Sequence, residues 1–548
     1  MHGLQHASFF WTGIVFWWPI IRPVPGKSDW PEWVAIPYLL AADLVNTGLS
    51  AAFVFSGRVL YPSYEAIHAG GMGAQNDQTL GGLIMWVPGS LVYLVPAFLF
   101  TMRLLTGPKL RKSGEIVRRV ARRESKPSKS IILLPGFRRA AQVAMLLVAI
   151  AVMADGFFGR QVASLNLAGV LPWIHWRALS VLALLAVGNL FCMACPFTLV
   201  RDMGRKFLPA KLRWPRALRT KWLAAALIAL YLWAYEAFGL WNSPWLTAWV
   251  ITGYFGTALL IDGIFRGATF CKYVCPIGQF HFVSSLVSPR EVRVRSQQVC
   301  KSCQTHDCIR GNERARGCEL FLFQPKKEGN LDCTFCLDCV KACPSENVAL
   351  LPVIPASTIV KDPYRSSIGM LSRRTDLAAL ALLIVFGAFV NAAGMTGPVM
   401  VWEHRWHARL GPGAMPWIIA AFILGGAVLL PLFISFGFSL TTSKELMHRF
   451  AFALVPMGFA MWLAHLMFHF VSSLGAWIPA GWLTSAQILI LDGGLLLTLY
   501  VGWRIATQYR DRIRNSIAIL LPLAAVACGL YAAGIWILFQ PMQMRGMM

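Results

Sequence analysis

The sequence predicts a polytopic α-helical membrane protein of about twelve transmembrane helices, with a polar, cysteine-dense α+β insertion on its cytoplasmic side. Three observations predict it. Of 548 residues, 57% are hydrophobic and 14% charged, whereas a soluble domain carries about 25% charged residues. About a dozen stretches reach the roughly 20 apolar residues that cross a bilayer. Twelve of the 13 cysteines fall between Cys192 and Cys343, so they belong to one segment of the chain.

Spans are expected near 8–23, 34–56, 80–105, 140–158, 178–200, 222–241, 246–268, 376–398, 415–438, 450–472, 484–506 and 516–539. The first lacks a charged leader and a small-residue cleavage site, which reads as a retained span. Five blocks follow. Residues 1–105 form three Trp- and Pro-rich spans, and 106–139 a basic linker. Residues 140–287 form four spans with Cys-Pro motifs, 288–352 the polar module, and 353–548 a five-span bundle.

The 50 Lys and Arg outweigh the 25 Asp and Glu, for a net charge of +25. Residues 103–139, 201–221, 270–375 and 504–514 hold 39 of the 50 basic residues. Four loops on the opposite side hold five: Arg58, Arg160, Arg177, Arg405 and Arg409. This asymmetry is the positive-inside bias, so the charge reports orientation and not a nucleic-acid partner. The expected setting is a bacterial inner membrane, with the module cytoplasmic and both termini periplasmic.

The strongest motif is Cys333-x-x-Cys336-x-x-Cys339-x-x-x-Cys343-Pro344. Three closely spaced thiolates grip three irons of one cubane, and the fourth, before proline, ligates a neighbouring cluster. A zinc knuckle needs two pairs of ligands and leaves the trailing Cys-Pro unexplained. A partner set stands upstream at Cys300, Cys303, Cys308 and Cys318. Exchange of fourth ligands then assigns Cys300, Cys303, Cys308 and Cys343 to one 4Fe–4S cluster. Cys333, Cys336, Cys339 and Cys318 hold the other. The upstream set departs from the usual spacing: its second gap is four residues, and Glu319 follows Cys318. His306 lies inside that gap and is read as a bystander.

A third group, Cys192-x-x-Cys195-Pro196 and Cys271-x-x-x-Cys275-Pro276, closes two spans at the inner face. It is read either as a further thiolate-bound metal or cluster, or as two pairs of free or redox-active thiols. Cys528, alone in the last span, is expected to be a small core residue.

The order of a C-x-x-x-C-P-x-G span end, a basic segment and two ferredoxin-type motifs resembles the membrane-bound polyferredoxins over about 140–375. That family includes the NapH, NosR and CcoG proteins. The resemblance implies electron relay between a cytoplasmic face and a membrane or exported acceptor. In the N-terminal block, His6-Ala-Ser-Phe-Phe, Phe16-Trp17-Trp18-Pro19, Asp77-Gln78 and Gly82-Leu-Ile-Met-Trp-Val-Pro-Gly89 are similar to the CtaG family of cytochrome c oxidase assembly factors. This second resemblance implies a link to copper-site maturation.

His2, His6, His68 and Asp77 are expected at the outer surface, where imidazole and carboxylate suit a borderline metal. Met542, Met544, Met547 and Met548 emerge there too, and thioethers suit Cu(I). A mobile tail and ordinary interfacial residues are the simpler reading. His465 and His469 share a helix face. Such intramembrane groups are functional by default, as quinone or proton sites with Asp492, as haem ligands, or as interhelical hydrogen bonds. Neither copper nor haem has a complete ligand set in the sequence.

The function expected is an electron-transfer component of oxidoreductase type. A soluble acidic donor such as a ferredoxin or flavodoxin would deliver electrons to two 4Fe–4S clusters. A membrane quinone or respiratory complex would receive them. The alternative is copper reduction or delivery during terminal oxidase assembly.

Overall fold

The computed structural model describes residues 2–21, 32–61, 73–106, 136–207, 210–474, 482–509 and 513–542. The chain divides into two compact units, Met1–Lys126 and Pro127–Met548. The basic linker falls mostly outside the described residues, as do His68, Met544, Met547 and Met548.

In the first unit, Ala35–Phe55 packs along Ala74–Thr106. The longer helix contains Pro88 and Pro96, and proline removes a ladder hydrogen bond that lipid cannot replace. Beside Pro88, the Asn46 amide donates to the Met85 carbonyl at 3.0 Å. Gly89 makes room for it, since a Cβ there would lie 3.0 Å from Asn46 Nδ2. At the other end, Gln78 accepts from the Leu60 N–H and donates to Ser56 Oγ. Asp77 is exposed.

Among the described residues, ten helices are long and apolar enough to cross a membrane, against about twelve expected. The other two expected spans fall on His2–Ile21 and Trp222–Ala237. His2–Ile21 has the length, but its first turns carry Gln5, His6 and Ser8. Trp222–Ala237 has 16 residues, about 24 Å at 1.5 Å per residue, against a hydrocarbon core of about 30 Å. Its end is set by Gly239, whose φ of +52° turns the chain in a conformation that costs glycine little.

The second unit is organised around two helical segments. The most apolar windows of Lys444–Ser473 and Thr375–Ala393 are 94% and 83% buried inside the protein, against 22% for Pro244–Ile264. A helix apolar on all sides belongs in a core, and small residues bring such helices close. A Cβ on Gly458 would meet Val385 Cα at 2.6 Å. The Trp462 indole, buried beside it, donates to the Ile384 carbonyl at 3.0 Å.

The polar insertion is clasped by one antiparallel pair, β1 (Arg290–Val294) and β2 (Val348–Pro352), in the register Arg290 to Pro352 and Val294 to Val348. All eight cysteines of the insertion lie between the two strands. The helices between them are short, as in Asp338–Ala342, so loops position most of the sulfurs.

Candidate metal centres

The loop that carries Cys333, Cys336 and Cys339 is bent by three non-glycine residues at positive φ: Asp332, Phe335 and Leu337 at 59°, 54° and 60°. Each costs on the order of 1–3 kcal/mol, and such strain persists where the surroundings enforce it. Phe335 and Leu337 are buried, and Arg138 pins the next residue through Asp338 at 2.7 Å. The Phe335 ring lies over Gly188, where a Cβ would sit 2.3 Å from the ring. Only glycine leaves that space.

The insertion thiols interleave. Cys300 lies within electrostatic reach of Cys343 and Cys303, and Cys308 of Cys343, Cys300 and Cys303. Separately, Cys339 senses Cys336, Cys318 and Cys333, and Cys318 senses Cys333. Asn347 ties the ends of the first group: its side chain donates to Cys300 Sγ at 3.1 Å and its N–H to Cys343 Sγ at 3.3 Å. The His306 ring contacts the Gln304 carbonyl at 3.2 Å and not a sulfur.

The membrane-face thiols share a construction. Cys195 and Cys275 each precede a helix, Pro196–Gly204 and Pro276–Ser284, with nearly equal backbone angles (φ −60°, ψ 121° and φ −62°, ψ 110°). Proline suits the first helical position, where its missing N–H is not needed. Cys192 sits on a short α-turn, Leu190–Met193. Cys271 sits on a π-turn, Phe270–Val274, and a π-turn absorbs an extra residue. That turn accommodates the longer spacing of the second motif. Cys271 senses Cys275 and Cys195, and Cys192 senses Cys195, Cys275 and Cys333.

Asn189 links this group to the insertion. Its side chain accepts from the Cys192 N–H at 3.3 Å and donates to the Cys333 carbonyl at 3.1 Å. A buried charge network fixes the same elements. Arg201 contacts Glu319 at 2.6 Å, Asp202 at 2.8 Å and Asp262 at 3.5 Å, and Arg205 contacts Glu319 at 2.7 Å. The Asp262 carboxylate also accepts the Phe270 N–H, one residue before Cys271. Lys221, almost wholly buried, donates to Asp332, Gln279 and the Lys272 carbonyl. Lys272 donates to the Leu320 carbonyl and Ser367, and burial holds its ammonium down at about 8.

Burial pushes the Cys275 thiol up to about 12 and the Cys308 thiol to about 11, so without a cation they would keep their protons. Metal binding supplies that cation and takes the thiolate. Backbone N–H groups already face the sulfurs: Phe197 and Thr198 at Cys195, Ile277 and Gly278 at Cys275, Leu320 and Leu322 at Cys318. Such donors tune iron–sulfur potentials. Among the described residues, no three His, Cys, Asp or Glu converge closely enough for a single metal ion. One tetrahedral ion would draw its sulfurs to about 2.3 Å from a common centre. Thiolates are the donors that a 4Fe–4S cluster takes, and on donor chemistry alone the two sets of four thiols would fit one each.

His465 and His469 face each other, Nε2 to Nε2, at 3.3 Å. Asp492 instead accepts the Tyr531 hydroxyl at 2.6 Å. Asn347, Asn189, Lys221 and Arg201 escaped the sequence reading. Only Asn189 left a local signal, as a helix-capping Asn three residues before Cys192.

Residues 1–106 match the family described as cytochrome c oxidase caa3 assembly factor (Caa3_CtaG). A 90-residue stretch is 32% identical to "Putative electron transport protein YccM" of Escherichia coli strain K12. It covers 16% of this chain and 23% of that relative, so the chain spans under a quarter of the relative's length. No solved structure matches. The chain is thus a multi-pass helical protein, similar over residues 1–106 to an oxidase assembly family and over 90 residues to a protein named for electron transport.

Proposed function

We propose that the chain is a membrane-bound iron–sulfur electron-transfer protein. It would relay electrons from a reduced cytoplasmic donor to a membrane or periplasmic acceptor, either a quinone or a redox complex. The observation that carries this reading is the interleaving of eight thiols. Cys300, Cys303, Cys308 and Cys343 form one set, and Cys318, Cys333, Cys336 and Cys339 the other.

Two 4Fe–4S clusters held there would supply one-electron chemistry that side chains lack. The protein's part is environment. Asn347 and the loop amides donate to sulfur. Lys221 and Lys272 place cationic groups next to Asp332 and Leu320, beside the second set. Asn189 joins that set to the membrane-face thiols, a further metal or cluster site in this reading. Around the first set, Lys301, Arg310 and Arg314 are exposed, a surface suited to an acidic carrier such as a ferredoxin or flavodoxin.

Protein purified without oxygen should contain at least about eight iron and eight sulfide per chain, as two cubanes require, and more if the membrane-face thiols hold a further cluster. Cys336→Ser should keep one cluster signal by EPR. Protein free of acid-labile sulfide, or a variant retaining both signals, would refute the assignment. A second reading, copper reduction or delivery in oxidase assembly, draws on the match over residues 1–106. Stoichiometric copper in the same preparation, with a defect confined to oxidase maturation, would favour it.

A further inference from the structure

Beyond the Cys-Pro turns, inside the second unit, lies a cavity of about 200 Å³. Its floor comes from the residues next to the membrane-face thiols. Phe191 adjoins Cys192, Pro276 adjoins Cys275, and Phe197 is two residues past Cys195. The lining also includes Trp462, whose ring meets Phe280 edge-on at 5.4 Å. Arg177, Tyr231 and His281 are its polar groups of note.

His281 is the unexplained one. It is 2% exposed, and its Nδ1 has no hydrogen-bond partner. Its ring stacks on Phe191 at 4.4 Å and 11°, which fixes the plane in which the imidazole can donate. An orphaned buried nitrogen is destabilising, and a hydrogen bond to a ligand oxygen would relieve that. Burial also holds the imidazole well below its usual range, at about 3, so it is neutral.

We propose that this cavity binds the head group of a membrane quinone, with His281 hydrogen-bonded to one carbonyl oxygen and the ring held among the aromatic walls. The proposal rests on the electron-transfer reading and names its acceptor. The chemistry favours this occupant over an acyl chain. Flat rings stack on aromatic side chains, a concave apolar site with few polar groups is the usual small-ligand design, and a saturated chain leaves Nδ1 unpaired. Reduction of the bound quinone takes two electrons, from two equivalents of the reduced soluble carrier, and two protons from water. Each carbonyl oxygen becomes a hydroxyl and no other bond forms. The histidine pair expected from sequence to serve this role lies elsewhere: His469 borders a second cavity with Met395 and Tyr235.

The test is photolabelling of the purified full-length protein in lipid nanodiscs with an azido-ubiquinone analogue, followed by peptide mapping. Label is expected on the peptides carrying Phe191 and Pro276–Ser284. His281→Leu should weaken labelling about tenfold, the equivalent of about 1.4 kcal/mol, and His281→Gln, which restores a donor, should recover much of it. Ser180→Trp fills the cavity from another helix and should abolish label. Labelling undiminished in both His281→Leu and Ser180→Trp would overturn the proposal, as would equal competition by a fatty acid without a head group. Sulfide analysis of the same samples is independent: protein that binds quinone but lacks sulfide sinks the electron-relay reading and leaves the cavity assignment standing.

Discussion

The two Cys-Pro turns reach one backbone geometry from different sequences. In the first, two residues separate the cysteines and an α-turn carries Cys192. In the second, three separate them and a π-turn carries Cys271. Both end with a cysteine at ψ near 110–121°, followed by proline at the start of a helix. The lesson is that what is held constant is the placement of the second cysteine at a helix start, where N–H groups face its sulfur. Loop spacing is free to vary when helical winding absorbs the difference.

Equivalence predicts equal penalties. Cys195→Ser and Cys275→Ser should slow electron exit from the reduced protein by similar factors, on the order of 100-fold, since loss of outer-shell partners alone costs about 10–100-fold. Stopped-flow reoxidation measures this, and a tenfold disparity between the two variants would break the comparison. Next, the turns differ in their support, because Arg201 sits on the first alone. Arg201→Met leaves Glu319, Asp202 and Asp262 with one buried partner fewer. Removing one partner of a buried pair costs about 3–5 kcal/mol, to be read from thermal unfolding in detergent. A loss under about 1 kcal/mol would show that Arg205 on Glu319, and Arg316, which contacts Asp202 at 2.9 Å, suffice.

A smaller effect sharpens the point about winding. Deleting Val274 shortens the second motif to the spacing of the first and removes one buried side chain, worth about 1.5–3 kcal/mol. Iron and sulfide contents are expected to be unchanged, and their loss would show the π-turn to be more than a spacer. Smallest of all, Asn347→Ala removes the side-chain donor to Cys300 Sγ and keeps the backbone N–H that faces Cys343 Sγ. The potential of the centre proposed on Cys300 and Cys343 should fall by tens of millivolts, on the order of one lost hydrogen bond. The other centre should not move in an EPR-monitored titration.

The histidine pair shows where pattern reading runs out. Four-residue spacing put His465 and His469 on one helix face, and they do contact each other. Asp492, on another helix, goes to Tyr531. His281, two residues beyond Gln279 and with no His partner at helical spacing, carried no periodic signal at all. Its relevance comes from the cavity, which forms only when segments near Phe191, Trp462 and Pro276 meet.

What the sequence determined by itself is local or compositional. Membrane residence follows from apolar runs, because lipid selects on hydropathy without regard to neighbours. The Cys-x-x-Cys-x-x-Cys spacing is legible because thiols carried on one short loop stay near one another whatever the rest of the chain does. The positive-inside count supports the orientation expected from sequence. Tertiary structure alone decided what lies far apart along the chain. It put Asn347 between Cys300 and Cys343. It also buried Lys221 against Asp332, 111 residues away. Lys221 looks in sequence like one more inner-loop cation, and burial against a partner is a property of packing that no local pattern encodes.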